Sequence, residues 1–238
     1  MAWIVGGVTG YLIGAALAVF LDRLYTGAPW RGPAPAWQQG APALWWTGTL
    51  GYALARGRGE GGVRLPARLW YLPLLGAPAG AAIAVRAHDP RHAALLAMFS
   101  TVLLAFVGSD FERHLLPNRL MYPTLALALA LSWTWPDRSF AESLAGGLAG
   151  FAIMFALFFF LPGFGFGDVK LAALIGLLVG LSNTLPALLI GAIAGGVGAG
   201  LMLLAQRLRL GGAGAGARTA IAYGPYLVLG AFAVMVTR

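Results

Sequence analysis

Apolar residues in this chain come in long runs, separated by short clusters of glycine, proline and charge. Residues 3–21 make the first run, closed by Asp22 and Arg23. Seven more follow, at 68–86, 92–109, 120–135, 142–161, 169–182, 185–205 and 220–237. Runs of this kind read as bilayer-crossing helices, since a helix rises about 1.5 Å per residue across a core about 30 Å thick. The pattern therefore predicts an all-α integral membrane protein, a bundle of about eight transmembrane helices. The stretch 43–55 is apolar but too short to cross. It reads as interfacial or re-entrant, with Trp45 and Trp46 suited to the headgroup level. Val169 to Ser182 is also short, 14 residues. One way to fit it is to draw the preceding glycine-rich segment below the membrane surface, with Asp168 recessed and its pKa raised.

Composition agrees. Of 238 residues 59% are hydrophobic and only 10% charged, where a soluble domain carries about a quarter charged residues. That leaves no room for a large soluble domain. The net charge is +8. In a soluble chain it would point to nucleic acid; here it fits positive-inside topology and anionic lipid, so lipid is an expected partner and nucleic acid is not. With the loop after the first run in the cytoplasm, twelve basic residues fall inside and four outside, and both termini lie outside the cytoplasm. Cysteine is absent, which excludes disulfides and thiolate metal sites. Met1-Ala2-Trp3-Ile4 has no basic n-region, so the first run reads as a retained span. Residues 1–65 form a first helix and a short cytoplasmic or interfacial loop, and 66–238 a polytopic domain. Residues 211–217 read as a flexible cytoplasmic loop, since no Lys-Ser/Thr follows to make a phosphate cradle. Glycines four apart, Gly146/Gly150, Gly191/Gly195 and Gly196/Gly200, allow close helix contacts or simply reflect how common glycine is in membrane helices.

Candidate chemistry rests on two acids in a chain that has eight. Asp168 stands at the end of Pro162-Gly-Phe-Gly-Phe-Gly, where Gly163, Gly165 and Gly167 remove side chains and allow a tight bend and a close approach. An acid beside membrane-spanning sequence is costly and calls for a reason. Asp110 lies 58 residues earlier, at the end of the third run. One helix out and one back separate them, which returns the chain to the same face and depth. Two adjacent carboxyls share a proton; one then takes a proton from water while the other donates to the carbonyl being attacked. Neither role is assigned to either residue. Glu112, two residues past Asp110, falls on the opposite side of the helix and reads as a solvated surface group. Lys170 reads as snorkelling to headgroups rather than steadying Asp168. His88, His92 and His114 support no metal site, the first two because Pro90 breaks their common helix. Phe158–Phe160, Phe164 and Phe166 line a substrate groove, contact lipid or pack in the core.

Gly165-Phe-Gly-Asp168-Val-Lys170-Leu171 resembles the second catalytic motif of the type IV prepilin peptidase family, the bacterial Gly-x-Gly-Asp membrane aspartic proteases. Asp110, followed by Leu115-Leu116-Pro117-Asn118-Arg119-Leu120, is similar to the first, and Tyr223-Gly224-Pro225-Tyr226-Leu227 to a C-terminal segment of the family. The resemblance implies an endopeptidase of the bacterial inner membrane. It would cut the short basic leader from prepilins or pseudopilins at the cytoplasmic face. Asp110 and Asp168 would be catalytic, and Gly165, Gly167, Lys170, Pro117, Gly224 and Pro225 supporting. It implies no metal or cofactor for the cleavage. Many members also carry a tetracysteine zinc loop and methylate the new N-terminus with S-adenosylmethionine. This chain has no cysteine, and Glu60 is the sole acid of its loop, so neither zinc nor methylation is expected. Two other classes stand beside the protease: an ion-coupled transporter or channel with both acids at broken helices, and a non-catalytic relative.

Overall fold

A computed structural model describes residues 1–26, 48–58, 64–87, 89–161, 164–210 and 222–237, and the side chains of these except 22–26, 206–207 and 209–210. The expectations for Trp45, Trp46, Glu60, His88, Gly163 and 211–217 lie outside the described residues.

Among the described residues the chain is mostly helical, with no strand beyond an isolated bridge between Arg58 and Arg64. The elements are α1 (Ala2–Thr26), α2 (Thr49–Leu54), α3 (Arg68–Arg86), α4 (Pro90–Arg113), α5 (Asn118–Ala130), α6 (Phe140–Phe160), α7 (Phe166–Val179), α8 (Leu181–Leu210) and α9 (Gly224–Thr237). A 3₁₀ turn, Ser132–Thr134, follows α5. Every expected run has its helix. Among the described residues, five helical stretches are long and apolar enough to cross a bilayer: Ala2–Leu21, α3, α4, α6 and Leu181–Ala205. The chain is a multi-pass membrane protein. The others, α5, α7 and α9, have 13 or 14 residues.

Local chemistry explains several ends. Pro90 opens α4, where its missing N–H costs nothing, and Asp89 accepts the His92 N–H at 2.7 Å. Ser139 caps α6 by accepting the Glu142 N–H at 3.2 Å. The run expected at 169–182 instead stops at Val179. Gly180 has φ 78°, a left-handed conformation that ends the helix at low cost, and α8 starts at the next residue.

The chain forms two compact units, Met1–Gly108 and Ser109–Arg238. In the first, α1 packs on α3 with backbones in near contact. A methyl group on Gly6 or Gly10 would run into the carbonyl of Gly80 or Gly76 respectively. Leu72, Phe99, Leu103 and Phe106 are buried in this unit. Arg68 is buried there too, its Nε donating to the Ala18 carbonyl at 2.7 Å.

In the second unit α7 is the central helix. Leu171, Ala172, Leu174, Ile175 and Leu178 are fully buried. Gly146 and Gly150 of α6 lie against the carbonyls of Gly176 and Ala172. This is the expected close contact, which lets backbones approach without a hydrophobic drive. On α8, Gly191 and Gly195 face Tyr226 and Tyr223. The expected contact at Gly196 and Gly200 is not found: among the described residues nothing lies within 4 Å of a side chain built at either. Gly198, between them, takes that role by facing the Tyr226 ring. The reason is rotational: 195 and 198 share a helix face, and 196 is turned away from it.

Candidate active site

Asp110 lies inside the last turn of α4, which continues four residues beyond the expected end at 109. It is 6% exposed. The helix stops where His114 turns left-handed, φ 52°, and bonds its N–H to the Asp110 carbonyl at 2.9 Å. The next residues fold back: Ser109 Oγ donates to the Leu115 carbonyl at 2.6 Å. Pro117 then caps α5, its carbonyl accepting the Leu120 and Met121 N–H groups at 3.0 Å.

Asp168 is in the first turn of α7, with Gly165 as N-cap. Its Oδ2 accepts the Gly165 N–H at 3.0 Å, and its own N–H donates to the Gly165 carbonyl at 3.0 Å. The side chain thus does a capping residue's work from inside the helix. The tight glycine bend expected before Asp168 is absent at Gly165, whose φ of −93° is open to any residue. What Gly167 provides is room. A side chain there would come within 3.3 Å of Leu116, from the segment that follows Asp110.

The two motifs converge at the start of α9. The Gly224 N–H donates to Asp110 Oδ2 at 2.9 Å across 114 residues of sequence. Gly224 is buried, and a methyl group on it would stand 2.8 Å from that oxygen. Each carboxylate therefore lies at a helix N-terminus, where unpaired N–H groups and the helix dipole favour negative charge. Burial opposes this for Asp168 and pushes its pKa up to about 6; the Gly165 N–H pulls it down, and the Asp110 charge raises it further. The Asp110 charge is thus one of the influences on Asp168. Tyr223 also belongs to the group. Its ring meets Phe164 edge-on at 5.0 Å, and burial, then the Asp168 charge, raises its pKa.

Lys170 does not snorkel. Its Nζ donates to Asn118 Oδ1 at 2.8 Å and to the Tyr122 hydroxyl at 3.0 Å, and it lies over the Tyr122 ring at 4.7 Å. Two fixed acceptors on α5 hold the ammonium where solvent or headgroups would otherwise take it. It ties the start of α7 to the start of α5. Glu112, expected in solvent, is half-buried. His92 is buried, and His114 is exposed at the helix end. Phe158 touches Phe166 and continues a ring series through Phe155 to Phe151 along α6. Asn118, Tyr122, Ser109 and Tyr223 make contacts around the two motifs that the sequence did not single out. Three of them lie in or beside those motifs, but their partners follow from no spacing rule.

Residues 97–200 match the model of the type IV leader peptidase family, a span that includes Asp110 and Asp168. The chain is 30% identical over 159 residues to the prepilin leader peptidase/N-methyltransferase of Escherichia coli strain K12, covering 64% of this chain and 67% of that protein. It is 29% identical over 143 residues to the protein of the same name from Xanthomonas campestris, covering 58% and 47%. The likeness to the Burkholderia pseudomallei protein, 28% over 195 residues, covers 78% and 60%. For several of these relatives the match thus spans about half of their length. No solved structure matches the chain.

Proposed function

Starting from the fact that this chain belongs to the type IV leader peptidase family, we propose that it is an aspartic endopeptidase of the bacterial inner membrane. It removes the short basic leader of prepilins or pseudopilins at the cytoplasmic face. What supports this reading is that Asp110 and Asp168 each have Oδ2 held by a backbone N–H, and that the Asp110 charge acts on Asp168.

The chemistry follows from that arrangement. The backbone donors hold Oδ2 of each carboxylate and so orient the pair for reaction. With one proton on the pair, the ionised member takes a proton from water as the water's oxygen attacks the scissile carbonyl. The protonated member donates to the developing oxyanion. Collapse of the tetrahedral intermediate sends a proton to the leaving amine, and the pair regains its single proton. Burial pushes the Asp168 pKa up to about 6, and because the two carboxyls titrate as a unit neither role is assigned to either residue. Water and two carboxyls suffice, so no cofactor is assigned to cleavage. No methylation is assigned either: the chain has no cysteine for the zinc loop.

The test is direct. Asp110→Asn and Asp168→Asn, each expressed beside a pilin-type substrate, should abolish leader removal with protein level unchanged. Cleavage at the parent rate by either variant would end the reading.

A further inference from the structure

The region around the two carboxylates holds a further polar group that the two-acid scheme does not use. Tyr223 precedes Gly224, whose N–H holds Asp110. Its ring packs edge-on against Phe164, the neighbour of the Gly165 that holds Asp168. One aromatic residue therefore packs against the Asp168 half and adjoins in sequence the glycine that holds Asp110. The ring's seat is specific. Gly195 of α8 lies beneath it, and a methyl group there would come within 2.9 Å of Tyr223 Cε2. The backbone is fixed as well, because the Tyr223 carbonyl accepts N–H groups of the first turn of α9, from Tyr226 at 3.1 Å and Leu227 at 3.3 Å. The side chain is half-buried. Among the described residues its hydroxyl makes no hydrogen bond and is not one of the buried polar atoms, so its proton is open to a substrate.

We propose that Tyr223 is a catalytic residue whose hydroxyl donates a hydrogen bond to the carbonyl oxygen of the bond being cleaved. This rests on the protease reading above. In that reaction the water oxygen bonds to the carbonyl carbon, the carbonyl π electrons move to oxygen, and the negative charge growing there is shared between the protonated carboxyl and the Tyr223 hydroxyl. The phenol keeps its proton throughout; the carboxyl pair does all proton transfer. Burial and the Asp168 charge both disfavour phenolate, which keeps the hydroxyl a donor across physiological pH. A donor fixed before the reaction begins needs no reorganisation when charge appears.

Tyr223→Phe removes the hydroxyl and keeps the ring on Phe164 and over Gly195. The expected result is a fall in kcat of roughly 10²-fold, the usual cost of one such donor, with KM and the unfolding temperature in detergent unchanged. A kcat within about threefold of the parent, or a loss confined to KM, overturns the proposal. Should the variant not accumulate, fluorinated tyrosine at position 223 gives a second measurement, since it preserves shape and makes the phenol more acidic. The alkaline limb of kcat should then move to lower pH, and an unmoved limb overturns the proposal. The Asp168→Asn chain separates the two failures. If it still cleaves, the protease reading falls and this role with it. If it is dead while Tyr223→Phe is fully active, only the hydroxyl's role falls.

Discussion

Two helix pairs in this protein are built with the same device and do different things. In the first unit, α1 and α3 meet through Gly6, Gly10, Gly76 and Gly80. In the second, α6 and α7 meet through Gly146, Gly150 and Gly176. Both bring carbonyl oxygens to where a side chain would stand, the close packing that membrane helices use in place of a hydrophobic drive. Beside the first pair lies an apolar cleft of about 470 Å³, and none of the residues lining it is titratable. The second pair carries Asp168 in the first turn of α7. Close packing alone therefore makes a scaffold. On the protease reading, chemistry arises where a packed helix begins beside an acid and turns its free N–H groups to a carboxylate.

The sharpest way to break this contrast is Gly224→Ala. Its methyl group would press on Asp110 Oδ2 from 2.8 Å and disturb the carboxylate more than the fold. We expect kcat to fall by about 10²-fold, as for loss of a positioned donor, with the unfolding temperature little changed. Next come Gly10→Ala and Gly176→Ala. Overpacking a close contact costs roughly 1–3 kcal/mol, read as an earlier unfolding midpoint, and both should show it. Only Gly176→Ala should also lower kcat per folded molecule. An equal loss of kcat in Gly10→Ala would erase the distinction between the pairs.

Smaller effects sharpen it. Lys170→Met removes two hydrogen bonds worth about 1 kcal/mol each to stability, so the unfolding midpoint should come earlier, and activity should fall less than in Gly224→Ala. Lys170→Arg, which keeps the charge and can reach Asn118, should recover part of it. A shift of the pH profile in Lys170→Met would instead point to direct action on Asp168. The smallest effect is spectroscopic. The Asp168 carboxyl should titrate at about pH 6, protonated below and ionised above. In Asp110→Asn that midpoint should move down, because the Asp110 charge is one of the influences raising it. Infrared titration of the carboxyl band would report both.

The sequence carried much of this. Hydropathy located every long helix to within a few residues, because burial in lipid demands a continuous apolar run and nothing more distant. Scarcity made Asp110 and Asp168 conspicuous. Glycine spacing found the α6–α7 contact, and the same spacing at Gly6, Gly10 and Gly14 was equally open to reading. Helix ends were less legible: α4 runs on to Arg113 because His114 accepts a left-handed conformation, and α7 stops early because Gly180 does.

What the sequence by itself determined is the membrane class, the succession of helices and the two acids that stand out in them. All of these depend on residues near one another in the chain. What only the tertiary structure decided is who holds whom: Gly224 on Asp110, Gly165 on Asp168, Asn118 and Tyr122 on Lys170. Three of these four bonds join positions 48 to 114 residues apart. A hydrogen bond requires donor and acceptor within about 3 Å and in line. At such separations only the packing of helix backbones against one another sets that distance.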